Sequence, residues 1–164
     1  MWAVILALSA YLFIPLPFTR VSLTTQSLMV MIIGLTMPMD IVSLSIGLYL
    51  FLGAIGLPVF SMGQAGLSVL FGPTGGYLFG FWIGALFISA TKKRLGSLWA
   101  VLVGGIAIVY SFGLIGLMIV LKLSLDKALW IGVLPFIIPD ILKALFAVWI
   151  SKRYKPLFQK ASLR

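Results

Sequence analysis

Cysteine and histidine are absent from the 164 residues, and acid nearly so: Asp40, Asp126 and Asp140 stand against twelve Lys and Arg. Without thiols there are no disulfides and no Cys/His metal sites, and without imidazole the commonest general base is gone. Mechanisms of membrane phosphatases and rhomboid-type proteases that rely on His are therefore excluded. Three scattered aspartates cannot build the multiple-carboxylate metal motifs of lipid phosphotransferases, and no GxxxxGK[ST] loop for ATP is present. The chain is expected to be no enzyme and to hold no cofactor or metal. Binding or transport is the expected class.

Charge of either sign is scarce. Charged residues make up 9% and hydrophobic residues 62%, with a mean hydropathy of +1.22. Soluble domains carry roughly a quarter charged residues, so an integral membrane protein of one domain, residues 1–164, is expected. The net charge of +9 is not spread over a face. It gathers at Lys92, Lys93 and Arg94 and in the tail Lys152, Arg153, Lys155, Lys160 and Arg164, on the flanks of apolar runs. Such flanks anchor on the cytoplasmic side and favour anionic headgroups over nucleic acid.

Apolar runs and their breaks predict an all-α protein of six transmembrane helices, at about 2–14, 26–37, 40–55, 74–90, 96–121 and 128–150. The start, Met1-Trp2 and an apolar run, has neither a charged leader nor a small-residue cleavage pattern and reads as the first helix. Ala3 and Ala7 form a small-xxx-small pair there, suited to packing within the chain or to a groove for a partner. Thr24 or Thr25 is expected to cap the second helix, and Asp40 the third. Pro135 and Pro139 are expected to break the last segment near 136–139. By the positive-inside rule, the loop at 92–94 and both termini are cytoplasmic.

The stretch from Gly53 to Tyr77 holds seven glycines, two prolines and no charge. Irregular backbone at membrane depth persists only where protein buries it or it lines a cavity. Residues 57–73 are therefore predicted to be a re-entrant or capping loop between helices three and four, over a pocket. A short external loop without a ligand is the simpler alternative. Gln64 is its one side-chain amide, and Thr74, Gly75, Gly76 and Tyr77 open the next helix. Phe18, Thr25 and Gln26 bring an aromatic ring and polar groups to the membrane boundary on the same outer side.

Asp140 and Lys143 are the acid and base inside a predicted span, at i and i+3 on one helix face. Burying either is costly, so the pair is a candidate ligand site, with a structural ion pair as the alternative.

Taken together, Pro15-Leu16-Pro17-Phe18-Thr19, Leu23-Thr24-Thr25-Gln26, Gly53 to Phe60, Gly72-Pro73-Thr74-Gly75-Gly76-Tyr77, Gly132 to Phe136 and Pro139-Asp140 with Lys143 resemble the BioY family. These are the substrate-binding S components of energy-coupling factor (ECF) transporters. The resemblance runs from residue 2 to about 150 and implies biotin uptake across the cytoplasmic membrane of a prokaryote, with biotin as transported ligand. It implies a site near the outer face in which Asp140 and Lys143 hold the ureido ring and the valerate carboxylate. It also implies partners: a transmembrane coupling subunit, docked on Ala3 and Ala7, and two ATPases. Departures are Arg20 and Ser22, where the family usually has proline. An S component for another vitamin, or a channel-like or assembly protein without a ligand, are the alternatives.

Overall fold

The structure is a computed structural model that describes residues 1–17, 19 and 21–161, with the backbone alone for 155–161. Its elements are α1 (Trp2–Ser9), β1 (Phe13–Ile14), β2 (Leu23–Thr24), α2 (Gln26–Thr36), α3 (Met39–Ala54), α4 (Leu67–Leu70), α5 (Gly75–Thr91), α6 (Ser97–Val101), α7 (Val109–Leu121), α8 (Leu125–Gly132) and α9 (Leu134–Ala161). A π-helical stretch, Leu102–Ile108, joins α6 to α7, so Ser97–Leu121 is one continuous rod of 25 residues. This rod and Leu134–Tyr154 are long and apolar enough to cross a membrane, while Gln26–Thr36, Met39–Ala54 and Gly75–Thr91 are shorter apolar helices.

Helix α5 is the centre of the bundle, packing against α2, α3 and the 97–121 rod. It meets the rod through Gly76, Gly80 and Gly84, one turn apart. A Cβ on Gly76 would collide with the Phe112 carbonyl and one on Gly84 with that of Gly104. At Gly80 it would come 2.9 Å from Val109 Cα. Lipid gives apolar helices no hydrophobic reason to associate, so this backbone-to-backbone approach is the source of the attraction.

Three expected boundaries shift. First, α1 ends at Ser9 instead of near 14, because Phe13 and Ile14 pair antiparallel with Thr24 and Leu23. Thr25 satisfies the carbonyls left at that end: its amide donates to Leu12 O at 3.1 Å and its hydroxyl to Ser9 O at 2.8 Å. Second, the last segment breaks at Val133, between α8 and α9, and not at 136–139. Pro135 lies in the first turn of α9, where its missing N–H is no loss, and α9 continues through Pro139. Third, Asp40 sits in the first turn of α3 without capping it. The amide of Gln26 is met by the hydroxyl of Thr24 at 3.3 Å, but Thr25, at the N-cap position of α2, makes no side-chain capping bond.

Residues 57–73 form no long helix. They turn through Ser61–Gly63 and the short α4. Phe60 is driven into the core, 1% exposed, edge-on to Tyr49 with ring centroids 5.5 Å apart. Its ring occupies the space a side chain at Gly53 would need. The loop is stitched down by Gly66 N–H to Gly53 O at 2.7 Å and, at the rim, by the Tyr11 hydroxyl donating to Pro58 O.

Candidate ligand-binding site

The hairpin after α1, the start of α2, the 57–73 loop, the start of α5, the junction of π-helix and α7, and the first turns of α9 enclose a cavity of about 740 Å³, mouth included. Its make-up is that of small-molecule pockets: apolar walls with convergent polar groups. Val21, Phe60, Val69, Leu78, Phe81, Val109 and Phe136 form the walls.

One cluster of polar groups surrounds Asp140 and Lys143 of α9, and Ser22, Ser61, Gln64 and Thr74 line the cavity as well. Asp140, 6% exposed, accepts three hydrogen bonds: Lys143 Nζ at 2.7 Å and Ser27 Oγ at 3.1 Å on Oδ1, Tyr110 OH at 2.8 Å on Oδ2. Lys143 Nζ in turn donates to Asp140 Oδ1, to Ser27 Oγ at 2.9 Å and to the Thr24 carbonyl at 2.7 Å. Both charges are thus paired and hydrogen-bonded, as burial demands.

An ammonium has three protons, and all three are engaged within the chain; a carboxylate has about four acceptor positions, and three are filled. What this cluster still offers a guest is therefore acceptor capacity, on Asp140 and on the oxygen of Tyr110. The helix dipole adds little. Asp140 lies beyond the first turn of α9, which starts at Leu134, and the dipole's influence fades within that turn.

Six residues singled out from sequence line the cavity: Asp140, Lys143, Gln26, Gln64, Thr74 and Tyr77. Gln26 is buried and donates its side-chain amide to the Tyr49 hydroxyl. Tyr77 presents its ring, while its hydroxyl donates to Gly132 O at 2.7 Å and so ties α5 to the end of α8. Three others serve the frame. Thr25 closes the end of α1, as described, and Gly75 and Gly76 let α5 approach the Leu70 and Phe112 carbonyls. Phe18 lies outside the described residues.

On α1, Ala3 is 4% exposed and packed into the core, and Ala7 is half-buried against it. Ala3 is thus covered within the chain, while Ala7 stays partly exposed. The outward ridge of α1 is Val4, Leu8, Tyr11 and Leu12.

Sequence reading missed Ser27, Tyr110 and the Thr24 carbonyl. A hydroxyl inside an apolar helix needs a partner, and that was the available signal for the first two. Which helices meet at Asp140 is a tertiary fact without a local trace.

The BioY family model matches residues 1–160. The biotin transporter BioY of Thermotoga maritima is 35% identical over 147 residues, covering 88% of this chain and 86% of that protein. Its counterpart from Rhizobium etli is 34% identical over 162 residues, covering 92% and 86%. A crystal structure of the S-component for biotin from an ECF-type ABC transporter superposes with a TM-score of 0.88 at 28% identity, covering 94% of this chain and 87% of that one. These relatives are named as transporters, not enzymes. With its motifs in order, a matching fold and a family match over residues 1–160, the chain belongs to the BioY family.

Proposed function

We propose that this protein is the membrane-embedded, biotin-binding S component of an ECF transporter. The observation that carries the reading is the cavity: apolar on its walls, with a polar cluster of Asp140, Lys143, Ser27 and Tyr110, in a chain of this family. Biotin is a small amphipathic acid with a polar ureido ring, and such a guest suits that division of surfaces.

The hydrogen-bond inventory supports one orientation of this guest. The ureido N–H groups donate to Asp140 and Tyr110, where acceptor capacity is left. The valerate carboxylate points toward the mouth, near Gln64 and Thr74. Lys143 then holds Asp140 in place and is not the carboxylate's partner, which revises the simpler pairing of acid with ring and base with tail.

The membrane arrangement belongs to the same proposal: six spans, both termini cytoplasmic, and the 57–73 loop dipping back over an outward-facing pocket. The basic flanks at 92–94 and 152–153 support that orientation. A coupling subunit would dock on the outward ridge of α1, with two ATPases supplying the work. Biotin enters from outside and is released inside when the coupling subunit rearranges the bundle.

Titration calorimetry on detergent-solubilised protein tests the core of the reading, with biotin, thiamine and riboflavin as separate titrants. One biotin per chain and no heat from the other two is the expected result. Binding of another vitamin, or of none, overturns it. Co-purification of ATPase subunits with the tagged chain tests the partners.

A further inference from the structure

We propose that the end of the bundle where α5 stops and α9 emerges is a binding surface for anionic phospholipid headgroups. Lys93 and Arg94 are exposed just past the end of α5, and Lys152 and Arg153 are exposed on α9. The two pairs share one end of the molecule. Helix α6 starts at Ser97, directly after the first pair, and its Ala100 and Val101 are buried in one cluster with Ala144 and Ala147 of α9. Among the described residues the one salt bridge is Asp140–Lys143, so none of these four cations has a carboxylate partner there. Asp40 also opens on this end, but it belongs to α3, which packs against α1 and α5. Lys92 is occupied differently: its ammonium donates to the Gly34 and Met37 carbonyls and closes the end of α2.

What lies beside the cations selects the partner. Trp99, 65% exposed, and Trp149, 58% exposed, flank the α6–α9 contact, with Tyr154 exposed further along. Phe146 stacks on Trp149 at 5.8 Å and 17°. Exposed aromatic rings on the same elements as these cations fit a molecule that is acidic at one end and hydrocarbon at the other. An acidic soluble protein would use the charges and leave the rings uncovered. The surface is separate from the cavity, since Lys152 lies nine residues beyond Lys143, roughly 14 Å along the helix.

Each Lys or Arg near an anionic surface favours it by about fivefold, so four should enrich acidic lipid at least about tenfold even after screening. The test uses the full chain in nanodiscs of phosphatidylcholine, alone or mixed with phosphatidylglycerol. Native mass spectrometry reads retained lipid, and thermal unfolding reads stability. The expected result is selective retention of phosphatidylglycerol with a higher unfolding temperature, both reduced by high salt. Both should also be largely lost when Lys93→Gln, Arg94→Gln, Lys152→Gln and Arg153→Gln are combined. Should that variant lose helix content, Lys152→Gln with Arg153→Gln alone is the second reading and should lose part of the preference. Equal retention of the two lipids, or an undiminished preference in a folded variant, overturns the proposal. Stabilisation by inorganic phosphate equal to that by phosphatidylglycerol overturns it as well, since the surface would then read any anion.

Discussion

The hydroxyl of Tyr110 lies 2.8 Å from Asp140 Oδ2, on the opposite side of the carboxylate from Lys143. Among the described residues it is the one donor that bonds this second oxygen, and both residues are buried. In Tyr110→Phe the ring remains and the charge-assisted bond goes. Bonds of that type are worth about 1.5–3 kcal/mol, so biotin affinity should fall by at least about tenfold. Calorimetry on wild type and variant checks it, and unchanged affinity would mean the hydroxyl is idle in recognition.

Lys143 makes a different prediction, because its three protons are already taken. Lys143→Met should weaken biotin by at least about tenfold, through an Asp140 left buried and unpaired. It should weaken biotinamide, which lacks the carboxylate, by the same factor. A double-mutant cycle over residue and ligand measures this, and a coupling near zero is expected. If biotinamide were indifferent to the substitution, the ammonium would be gripping the carboxylate after all.

How much of this was legible beforehand depends on the residue. Asp140 and Lys143 could be found because ionisable groups in an apolar span are costly and rare. The 57–73 loop could be found because no lipid-facing helix tolerates so much Gly and Pro. The break at Val133 could not be placed, because Pro135 and Pro139 mark where a helix is awkward, not where it ends. Gly75 and Gly76, singled out as candidate site residues, admit neighbouring backbone. From sequence the two uses are indistinguishable, as both ask only for a missing Cβ. Ser27 and Tyr110 needed the assembled bundle, since residues 113 and 30 positions from Asp140 meet it only there.

The glycine stripe of α5 should respond to substitution by position. Gly80→Ala would bring its methyl 2.9 Å from Val109 Cα, which is backbone and cannot turn aside. A cost of about 1–3 kcal/mol is expected, as for overpacking. Gly47→Ala, facing the Trp82 ring at 3.5 Å, makes an ordinary contact and should be neutral or slightly stabilising. Thermal unfolding of the two variants in one detergent gives the comparison. Equal stability would show that the α5 contact with the rod is looser than this.

Tyr11 offers a kinetic prediction separate from affinity. It does not line the cavity, and its hydroxyl reaches across from the end of α1 to the Pro58 carbonyl of the 57–73 loop. Nearby, the Ser22 hydroxyl meets Met62 Sδ at 3.4 Å, a weaker bond across the same gap. Tyr11→Phe removes the stronger link and touches nothing that would meet a guest. A single hydrogen bond contributes about 0.5–1.5 kcal/mol net, so the population in which the loop has lifted should rise by roughly twofold to tenfold. Biotin then leaves faster by about that factor and also enters more readily, so the equilibrium constant changes little. Stopped-flow chase of a fluorescent biotin from solubilised protein resolves the two rates. If dissociation is unaltered while Ser22→Ala combined with Tyr11→Phe also leaves it unaltered, the loop opens without passing through this seam.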